Sequence, residues 1–274
     1  MSKLIKLLSL NISLFDANNE KLFHFLDQLN TDIVCLQEVT RKVDDFAFDS
    51  FISKQVIDKA TKQLNHSYYA PNWALKDFRQ NNFHGKKLFS HEFGGVIEYG
   101  NYVKSKFEII RGKSIFVQQH FSYVTDWEWI ENHPGEEPRM VQVVDMIIDG
   151  NQKLRILNYH GIWSKDKRGT LRTELACQRL VQLASEVSFP TIMCGDFNLF
   201  PETKSIRILK ENFRSLVDEY HIQYTRPKSN ELSGVKHNVV DYIFVSKEIE
   251  VQKFEVIDSD VSDHFPLIME FEVK

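Results

Sequence analysis

Six short stretches of the chain place carboxylate, imidazole and carboxamide side chains in or beside apolar runs. Carboxylate and amide oxygens are hard ligands, which suit Mg²⁺ or Mn²⁺ and not the thiolate-binding metals. Histidine changes its charge near neutral pH and can therefore orient, protonate or neutralise a reacting phosphate. The polar groups are Asn11, Glu38, Asn158 with His160, Asp196 with Asn198, Asp241, and Asp263 with His264.

The stretch "TIMCGDFN" shows the alternative interpretation. Its apolar run ends on Gly195, Asp196 and Asn198, and Gly, Asp and Asn are ordinary turn residues after any strand. Taken alone, the stretch fits a turn as well as it fits a site. Six polar strand ends with complementary chemistry fit one shared site better than six separate structural roles.

Strand-like patterns dominate the chain. Three segments have helical spacing instead: 18–30, 170–187 with Thr170 as N-cap, and 203–213, and for the second the spacing predicts a buried stripe that includes Leu171, Leu175 and Leu180. So few crossover helices argue against a doubly wound parallel sheet. The pattern predicts two largely antiparallel or mixed sheets packed face to face, with helices on the outer faces. The nine predicted strands are 5–12, 32–39, 92–99, 108–117, 139–148, 153–161, 191–197, 239–246 and 266–273.

Composition limits the remaining possibilities. A chain of 274 residues with 42% hydrophobic residues predicts one domain, 1–274. Three cysteines in apolar runs indicate buried free thiols in a reducing compartment. The N-terminus lacks a clean cleavage site and is interpreted as the first strand, and no apolar segment approaches the ~20 residues of a membrane span. We therefore expect a soluble, cytoplasmic protein.

Two long connections have opposite character. Residues 71–91 interleave aromatic residues with four basic ones and a single acid, whereas residues 125–138 before Arg139 carry five acids, two tryptophans and no Lys or Arg. Long loops in compact domains are often functional, although a solvated loop is the commoner explanation.

The ordered series "LSLNI", "DIVCLQEV", "NYHG", "GDFN", "VVDYIFV" and "SDHFPL" resembles the endonuclease/exonuclease/phosphatase superfamily over about residues 5–273. The resemblance implies a four-layer α/β sandwich and hydrolysis of a phosphoester by in-line attack of water. It also implies that Glu38 is the principal metal ligand, with Asn11 beside it and Asp263 completing or neighbouring the site.

The catalytic roles are carried over from the same resemblance. Asp196 resembles the residue that orients or deprotonates the water, Asn198 a donor to the phosphate, and Asp241 the carboxylate that orients His264. His160 is similar to the histidine of the deoxyribonuclease, sphingomyelinase and phosphatase branches, where the abasic-site branch has tyrosine. Glu98 stands where deoxyribonuclease-like members have a glutamate that orients this histidine. Which group is the base stays open.

The remaining candidate is Arg139. It could clamp a phosphate, although an arginine beginning an exposed strand is the more ordinary interpretation.

Net charge guides the choice of substrate. The chain carries 34 basic and 38 acidic residues, a net charge of −4, whereas tracking along nucleic acid generally needs a basic stripe. We therefore expect a small phosphoester, such as a phosphorylated small molecule or a phospholipid head group. A nuclease is the second choice, and a catalytically silent binding module of the same fold is the third.

Overall fold

Fifteen strands and five helices form the described part of the chain. The computed structural model describes residues 3–13, 19–43, 53–76, 82–83, 86–87, 95–125, 132–227 and 238–274. The helices are α1 Asn19–Gln28, α2 Ser53–Ala60, α3 Leu171–Ser185, α4 Lys204–Lys210 and α5 Leu216–Glu219. The strands are β1 Ile5–Asn11, β2 Ile33–Lys42, β3 His66–Lys76, β4 Asn82–Phe83, β5 Lys86–Lys87, β6 Val96–Ser105, β7 Glu108–Gln118, β8 Tyr123–Val124, β9 Arg139–Asp149, β10 Gln152–Tyr159, β11 Thr191–Asp196, β12 Arg214–Ser215, β13 Asp241–Val245, β14 Ile249–Val256 and β15 Leu267–Val273.

Two mixed sheets organise the fold. The first has the order β14-β15-β1-β2-β6-β3-β8, and the second has the order β12-β13-β11-β10-β9-β7. The pairs β1–β2, β3–β8 and β10–β11 are parallel, and the other pairs within these two sheets are antiparallel. β4 and β5 form a separate two-stranded hairpin.

The sheets pack face to face with helices outside them. Helices α1 and α2 cover the first sheet through a cluster that includes Leu22, Leu26 and Ile57. Helix α3 packs beside the second sheet through Ala176, Cys177 and Leu180, which belong to the larger apolar cluster shared by both sheets. The expected α/β architecture of two mixed sheets flanked by helices is confirmed.

A buried carboxamide network joins the two sheets directly beneath the site. Asn158 on β10 donates to the Leu36 carbonyl at 3.1 Å and to Gln142 Oε1 at 2.9 Å, and accepts from Gln37 Nε2 at 2.7 Å. Asn101 on β6 donates to the Asn158 carbonyl at 3.2 Å. Buried amides need such partners, so the network fixes how β2 and β10 face each other.

Several sequence predictions need correction. Strands β3 and β14 and helix α2 were not expected, and residues 71–76, predicted as the start of a connection, belong to β3. Trp73 in that stretch is buried and stacks on Tyr99 with ring centroids 4.7 Å apart. Beyond residue 76, only the backbone of β4 and β5 in the 71–91 segment belongs to the described residues, and residues 126–131 of the acidic connection lie outside them.

The predicted buried stripe of α3 is wrong at two positions. Leu171 and Leu175 are 69% and 56% exposed, whereas Thr173, Ala176 and Cys177 are buried. Thr170 caps the helix as expected: its hydroxyl accepts from the Thr173 amide, and Thr173 reciprocates. The capping pair turns the face that carries Thr173 inward, where its hydroxyl meets Ser205 Oγ at 2.8 Å.

Two further expectations can be compared with the structure. Cys35, Cys177 and Cys194 are free and buried, as predicted. Among the described residues, the helices are all too short or too polar to cross a bilayer.

Candidate active site

The polar strand ends named by the sequence converge on the Asp196 carboxylate. Asn11 Nδ2 lies 3.1 Å from Asp196 Oδ2. His160 Nε2 and His264 Nε2 each lie 3.7 Å from the same oxygen. Parallel pairing places Asn11 beside Gln37 on β2, and β10 runs parallel to β11, so these strands bring their carboxyl ends together at one edge of the two sheets.

Gly195 permits this convergence. A Cβ atom at Gly195 would lie 2.0 Å from the Tyr159 carbonyl oxygen, and the residue has φ +133°. Phe197, fully buried, anchors the following turn in an aromatic cluster with Tyr159, Tyr242 and Phe244. This packing fixes the turn and with it the position of Asp196, which is itself buried.

The backbone around the site is strained. Among described non-glycine residues, six have a positive φ, and four of these are Ser13, Glu38, Lys167 and Asn198. Such left-handed conformations cost free energy and cluster at functional sites. Each of the four side chains contacts another site residue.

Glu38 lies at the rim of the site beside Asn11. Asn11 Nδ2 donates to Glu38 Oε1 at 3.1 Å as well as to Asp196, while Asn11 Oδ1 accepts from the Ser13 amide at 3.0 Å. The Glu38 side chain is 18% exposed. In this arrangement Asn11 holds two carboxylates together through its amide nitrogen, which is not a metal ligand; its expected part in metal binding stays a prediction.

Asp196 is held ionised. Burial would raise the pKa of this carboxyl, but the positive charges around it, His264 foremost, outweigh burial and lower the pKa to about 2. The backbone N–H of Asn198 donates to Asp196 Oδ1 at 2.8 Å, which fixes the plane of the carboxylate. A buried, fixed carboxylate of this kind can orient a water molecule by accepting its hydrogen bond.

His264 pairs with Asp241 as the sequence predicted. Its Nδ1 lies 2.9 Å from both Asp241 oxygens. Burial lowers the pKa of His264, but Asp241 and Asp196 overcome that effect and raise the pKa to about 9. The ring is therefore a cation at neutral pH whose Nε2–H faces Asp196.

His160 has a different partner from the one expected. Its Nδ1 lies 2.8 Å from a terminal nitrogen of Arg139, whereas Glu98 accepts from Arg41 Nε at 2.7 Å. The predicted Glu98–His160 pair is absent among the described contacts, because β2 and β6 pair Arg41 directly with Glu98. Burial and the Arg139 charge both lower the pKa of His160.

Arg139 itself is not at an exposed strand start. It is only 5% exposed, so the more ordinary interpretation of this residue is wrong. Besides its contact with His160, Arg139 forms an ion pair with Glu137 at 3.9 Å among the described residues.

Asp263 lies at the rim next to Arg226. Arg226 donates to Asp263 Oδ2 at 2.6 Å, and His264 Nε2 lies 4.0 Å from Asp263 Oδ1. Burial raises the pKa of Asp263, but His264 and Arg226 lower it overall. Ser262 ties this segment to β1 by donating to the Asn11 carbonyl at 2.7 Å.

Two cations of the site were missed by the sequence analysis. Lys167 is 6% exposed, and its ammonium group contacts Asn198 Oδ1; Arg226 pairs with Asp263. Both lie in irregular segments, Lys167 between β10 and α3 and Arg226 between α5 and β13. Neither belongs to a strand end, so the signal that revealed the other residues did not extend to them.

The site offers the ligands that a hard divalent cation requires. Ligand atoms of Asp196, Asp241 and His264 all lie within 4.8 Å of one another, and this buried group could hold a metal ion. The carboxylates of Glu38 and Asp263 lie at its rim. Oxygen-rich donor sets of this kind fit Mg²⁺ or Mn²⁺.

Comparison with known proteins places the chain in a family. A model described as "Endonuclease/Exonuclease/phosphatase family" matches residues 8–264. A search among curated protein sequences gave no match.

Solved structures share the fold at low identity. An endonuclease/exonuclease/phosphatase from Bacteroides vulgatus has 15% identity, covering 99% of this chain and 100% of its own, with a TM-score of 0.70. The mannosyl-6-phosphatase Bt3783 of Bacteroides thetaiotaomicron has 15% identity, 97% and 99% coverage and a TM-score of 0.62. TDP2 from C. elegans has 17% identity, 98% and 75% coverage and a TM-score of 0.60. The family match over nearly the whole length, with the fold and the convergent polar site, shows that this chain belongs to the endonuclease/exonuclease/phosphatase family of phosphoesterases.

Proposed function

We propose that the protein is a Mg²⁺- or Mn²⁺-dependent hydrolase that cleaves a small phosphoester by in-line attack of water. The observation that carries the proposal is the position of Asp196. Its Oδ2 is 3.1 Å from Asn11 Nδ2 and 3.7 Å from the Nε2 atoms of His160 and His264. An ionised carboxylate held between two imidazoles can orient an attacking water by accepting its hydrogen bond, while the imidazoles face the phosphoryl group.

The two histidines differ in protonation state, which suggests different roles. Arg139 can only donate, so its hydrogen bond leaves His160 Nδ1 without a proton and places the hydrogen on Nε2. His160 is then a neutral hydrogen-bond donor toward a phosphoryl oxygen. His264, kept protonated by Asp241, supplies a positive charge to the same group.

We expect Glu38 and Asp263, at the rim, to hold the cation, because a protonated His264 has no lone pair to give a metal and Asp241 is hydrogen-bonded to it. Asp196 is linked to Glu38 by the hydrogen bonds of Asn11. The bound cation would stabilise negative charge on the phosphoryl oxygens. Asn198 fixes the plane of Asp196 through its backbone amide and contacts Lys167 through its side-chain oxygen.

A small substrate agrees with the charge of the chain. The net charge of −4 disfavours a long polyanion, which needs many cations along its path. A phosphorylated small molecule or phospholipid head group is the first choice. A nuclease is the second, and the complete set of site residues argues against a silent binding module.

A substrate panel with Mg²⁺ tests the proposal. Phosphomonoesters, phosphodiesters, phospholipids and plasmid DNA are compared, with Asp196→Asn as the inactive control. We expect turnover of a small ester and DNA affinity that changes little with salt. A DNA-tracking enzyme contacting six or more phosphates would instead lose about 10³-fold in affinity between roughly 50 and 200 mM salt. Absence of Mg²⁺-dependent turnover of every substrate would contradict the proposal.

A further inference from the structure

Lys167 reaches the site from the loop between β10 and α3. Its side chain is buried, and its ammonium group contacts Asn198 Oδ1 and lies 5.0 Å from the centroid of the Trp163 ring. Among the described residues, it forms no ion pair with a carboxylate within 4.0 Å. Burying a cation against neutral groups is costly, and an apolar side chain of similar length would fill the same place at a lower cost.

The loop of Lys167 and the turn of Asn198 are joined through their backbones. The Phe200 amide donates to the Lys167 carbonyl at 3.0 Å, and the Lys167 amide donates to the Ser164 carbonyl at 3.2 Å. Lys167 and Asn198 both have left-handed backbone conformations, with φ +54° and +57°. Such conformations are uncommon outside glycine and persist where the surrounding contacts determine them. The backbone of Lys167 is therefore held beside Asn198 without help from its ammonium group.

The neighbours of the Asn198 carboxamide select one of its two orientations. An ammonium group has donors and no acceptor, so Lys167 can only face the oxygen, Oδ1. On the other side, Nδ2 lies 3.4 Å from the Gly161 carbonyl oxygen, which is an acceptor. Reversing the carboxamide would place donor against donor at Lys167 and acceptor against acceptor at Gly161. Both contacts favour the same orientation, and the charge-assisted contact with Lys167 is the stronger of the two.

This orientation leaves one donor of Asn198 for a substrate. Gly161 is fixed against the turn, because its amide donates to the Asp196 carbonyl and a Cβ atom on it would lie 2.1 Å from the Phe197 carbonyl oxygen. The carboxamide nitrogen carries two N–H groups, and only one of them can point at Gly161. Among the described residues, the second N–H has no acceptor. Since the Asn198 backbone amide also donates to Asp196 Oδ1, this free donor is held next to the central carboxylate of the site.

We propose that Lys167 is a positioning residue, which fixes Asn198 so that the second N–H of its Nδ2 donates to a phosphoryl oxygen of the substrate. The inference rests on the proposed phosphoesterase function and adds to it a residue that no strand end identified. A donor that is oriented in advance stabilises charge on the phosphoryl oxygens without reorganising during the reaction. A carboxamide free to rotate would spend part of its time with Oδ1 toward the phosphate, and two oxygen acceptors repel each other.

A double-mutant cycle tests the inference. Mg²⁺-dependent hydrolysis of 4-nitrophenyl phosphate and of bis(4-nitrophenyl) phosphate is measured for the wild type, Lys167→Met, Asn198→Ala and the double variant. Asn198→Ala should lower kcat by roughly 10²–10³, as loss of one transition-state donor does. Lys167→Met should lower kcat at least about tenfold in the wild-type background. In the Asn198→Ala background it should lower kcat by less than about twofold, because a residue that acts through Asn198 has nothing left to position.

Two further variants sharpen the cycle. Lys165→Met is the matched control, because Lys165 is an exposed lysine of the same loop, and it should leave kcat unchanged. Asn198→Asp keeps an oxygen facing Lys167 but has no N–H donor, so it should be at least as impaired as Asn198→Ala. Losses that multiply in the double variant would assign Lys167 a direct contact with the substrate and overturn the positioning role. Normal turnover by Lys167→Met or by Asn198→Asp would overturn it as well.

The order of the Asn198 side chain gives a readout that does not need turnover. In the substrate-free protein, ¹⁵N relaxation of its side-chain NH₂ group should give an order parameter of about 0.85 in the wild type and in Lys165→Met, and below about 0.6 in Lys167→Met. An unchanged order parameter in Lys167→Met would overturn the inference even if turnover falls. If the wild type hydrolyses neither ester, the proposed function fails, and the order parameters alone then decide whether Lys167 orients Asn198.

Discussion

Arg139 donates a hydrogen bond to His160 Nδ1 at 2.8 Å, and both side chains are almost fully buried. Guanidinium has donors and no acceptor, so the contact exists only while Nδ1 lacks a proton. The hydrogen of the neutral ring is then on Nε2, which faces Glu38 and Asp196 at 3.7 Å. A carboxylate in place of Arg139 would favour the opposite, charged state of the ring.

Replacing Arg139 should therefore allow His160 to protonate more readily. In Arg139→Met the pKa of His160 should rise because the arginine charge is gone, yet stay below the ordinary value because burial, the larger cause of the depression, remains. The ring nitrogen shifts of His160 in a ¹⁵N NMR titration measure this. Arg111→Met, at a half-exposed arginine, is the control. An unchanged titration of His160 in Arg139→Met would show that the contact does not set its protonation.

Glu38→Gln should weaken divalent-metal binding. The substitution keeps the volume and the hydrogen bond to Asn11 but removes one of the charges on which a hard cation depends. Mn²⁺ affinity, measured by electron paramagnetic resonance, should fall at least tenfold, and Mg²⁺-dependent turnover should fall with it. Glu174→Gln, which removes a surface partner of Lys204, should leave both unchanged. Normal hydrolysis by Glu38→Gln, or by chelator-treated wild type, would refute the metal role of Glu38.

Asn158→Ala should destabilise the fold through the network between the sheets. The change removes hydrogen bonds with Leu36, Gln142 and Gln37 and leaves buried partners unsatisfied, at a cost of about 2–4 kcal/mol in unfolding free energy. Urea denaturation measures the change, and the exposed Gln178→Ala should stay within about 0.5 kcal/mol of wild type. A similarly small effect for Asn158→Ala would mean that the network is not needed to hold the sheets together.

The sequence predicted the parts of this molecule that rest on local patterns. Long apolar strands such as β9 and β11 are readable because burial on both faces gives continuous apolar runs. The polar residues at the ends of such strands identified the side chains that converge on Asp196, because the strands of both sheets end at the same edge of the fold. Helix α3 was located correctly, yet its buried face was misjudged because Thr170 and Ser205 fix a rotation that periodicity alone does not determine.

What the sequence could not predict depends on register and on irregular backbone. Arg155 is fully buried because β9 and β10 pair it directly with Asp145, 2.7 Å away. Glu98 meets Arg41 for the same kind of reason. Lys167 reaches Asn198 from a loop in which it adopts φ +54°. No periodic pattern encodes such pairings.

His264→Ala and His160→Ala should each impair turnover far more than they impair stability. Groups that donate protons or hydrogen bonds in a transition state are commonly worth two to four powers of ten in rate. We expect kcat to fall by about that amount with only a modest change in melting temperature. Nearly normal turnover with a large loss of melting temperature would assign both histidines to structure.

Asp241→Asn should lower the pKa of His264 by removing the main cause of its elevation, and the alkaline limb of the pH–rate profile should move to lower pH.

Lys167 should make the stability of the substrate-free, metal-free protein depend on pH in a recognisable way. Burial lowers its pKa from 10.5 to about 8 in the folded state. Between these two values the unfolded chain binds the proton and the folded chain does not, so the free energy of unfolding rises with pH. The shift corresponds to about 3 kcal/mol. Lys167→Met lacks this penalty, so it should be more stable than wild type near pH 7, and its advantage should shrink as the pH approaches 10.5. Parallel urea titrations at several pH values measure the difference, with Lys165→Met as the exposed control, whose difference from wild type should not change with pH. A difference between Lys167→Met and wild type that is constant from pH 7 to 10.5 would show that the ammonium of Lys167 is already compensated inside the protein.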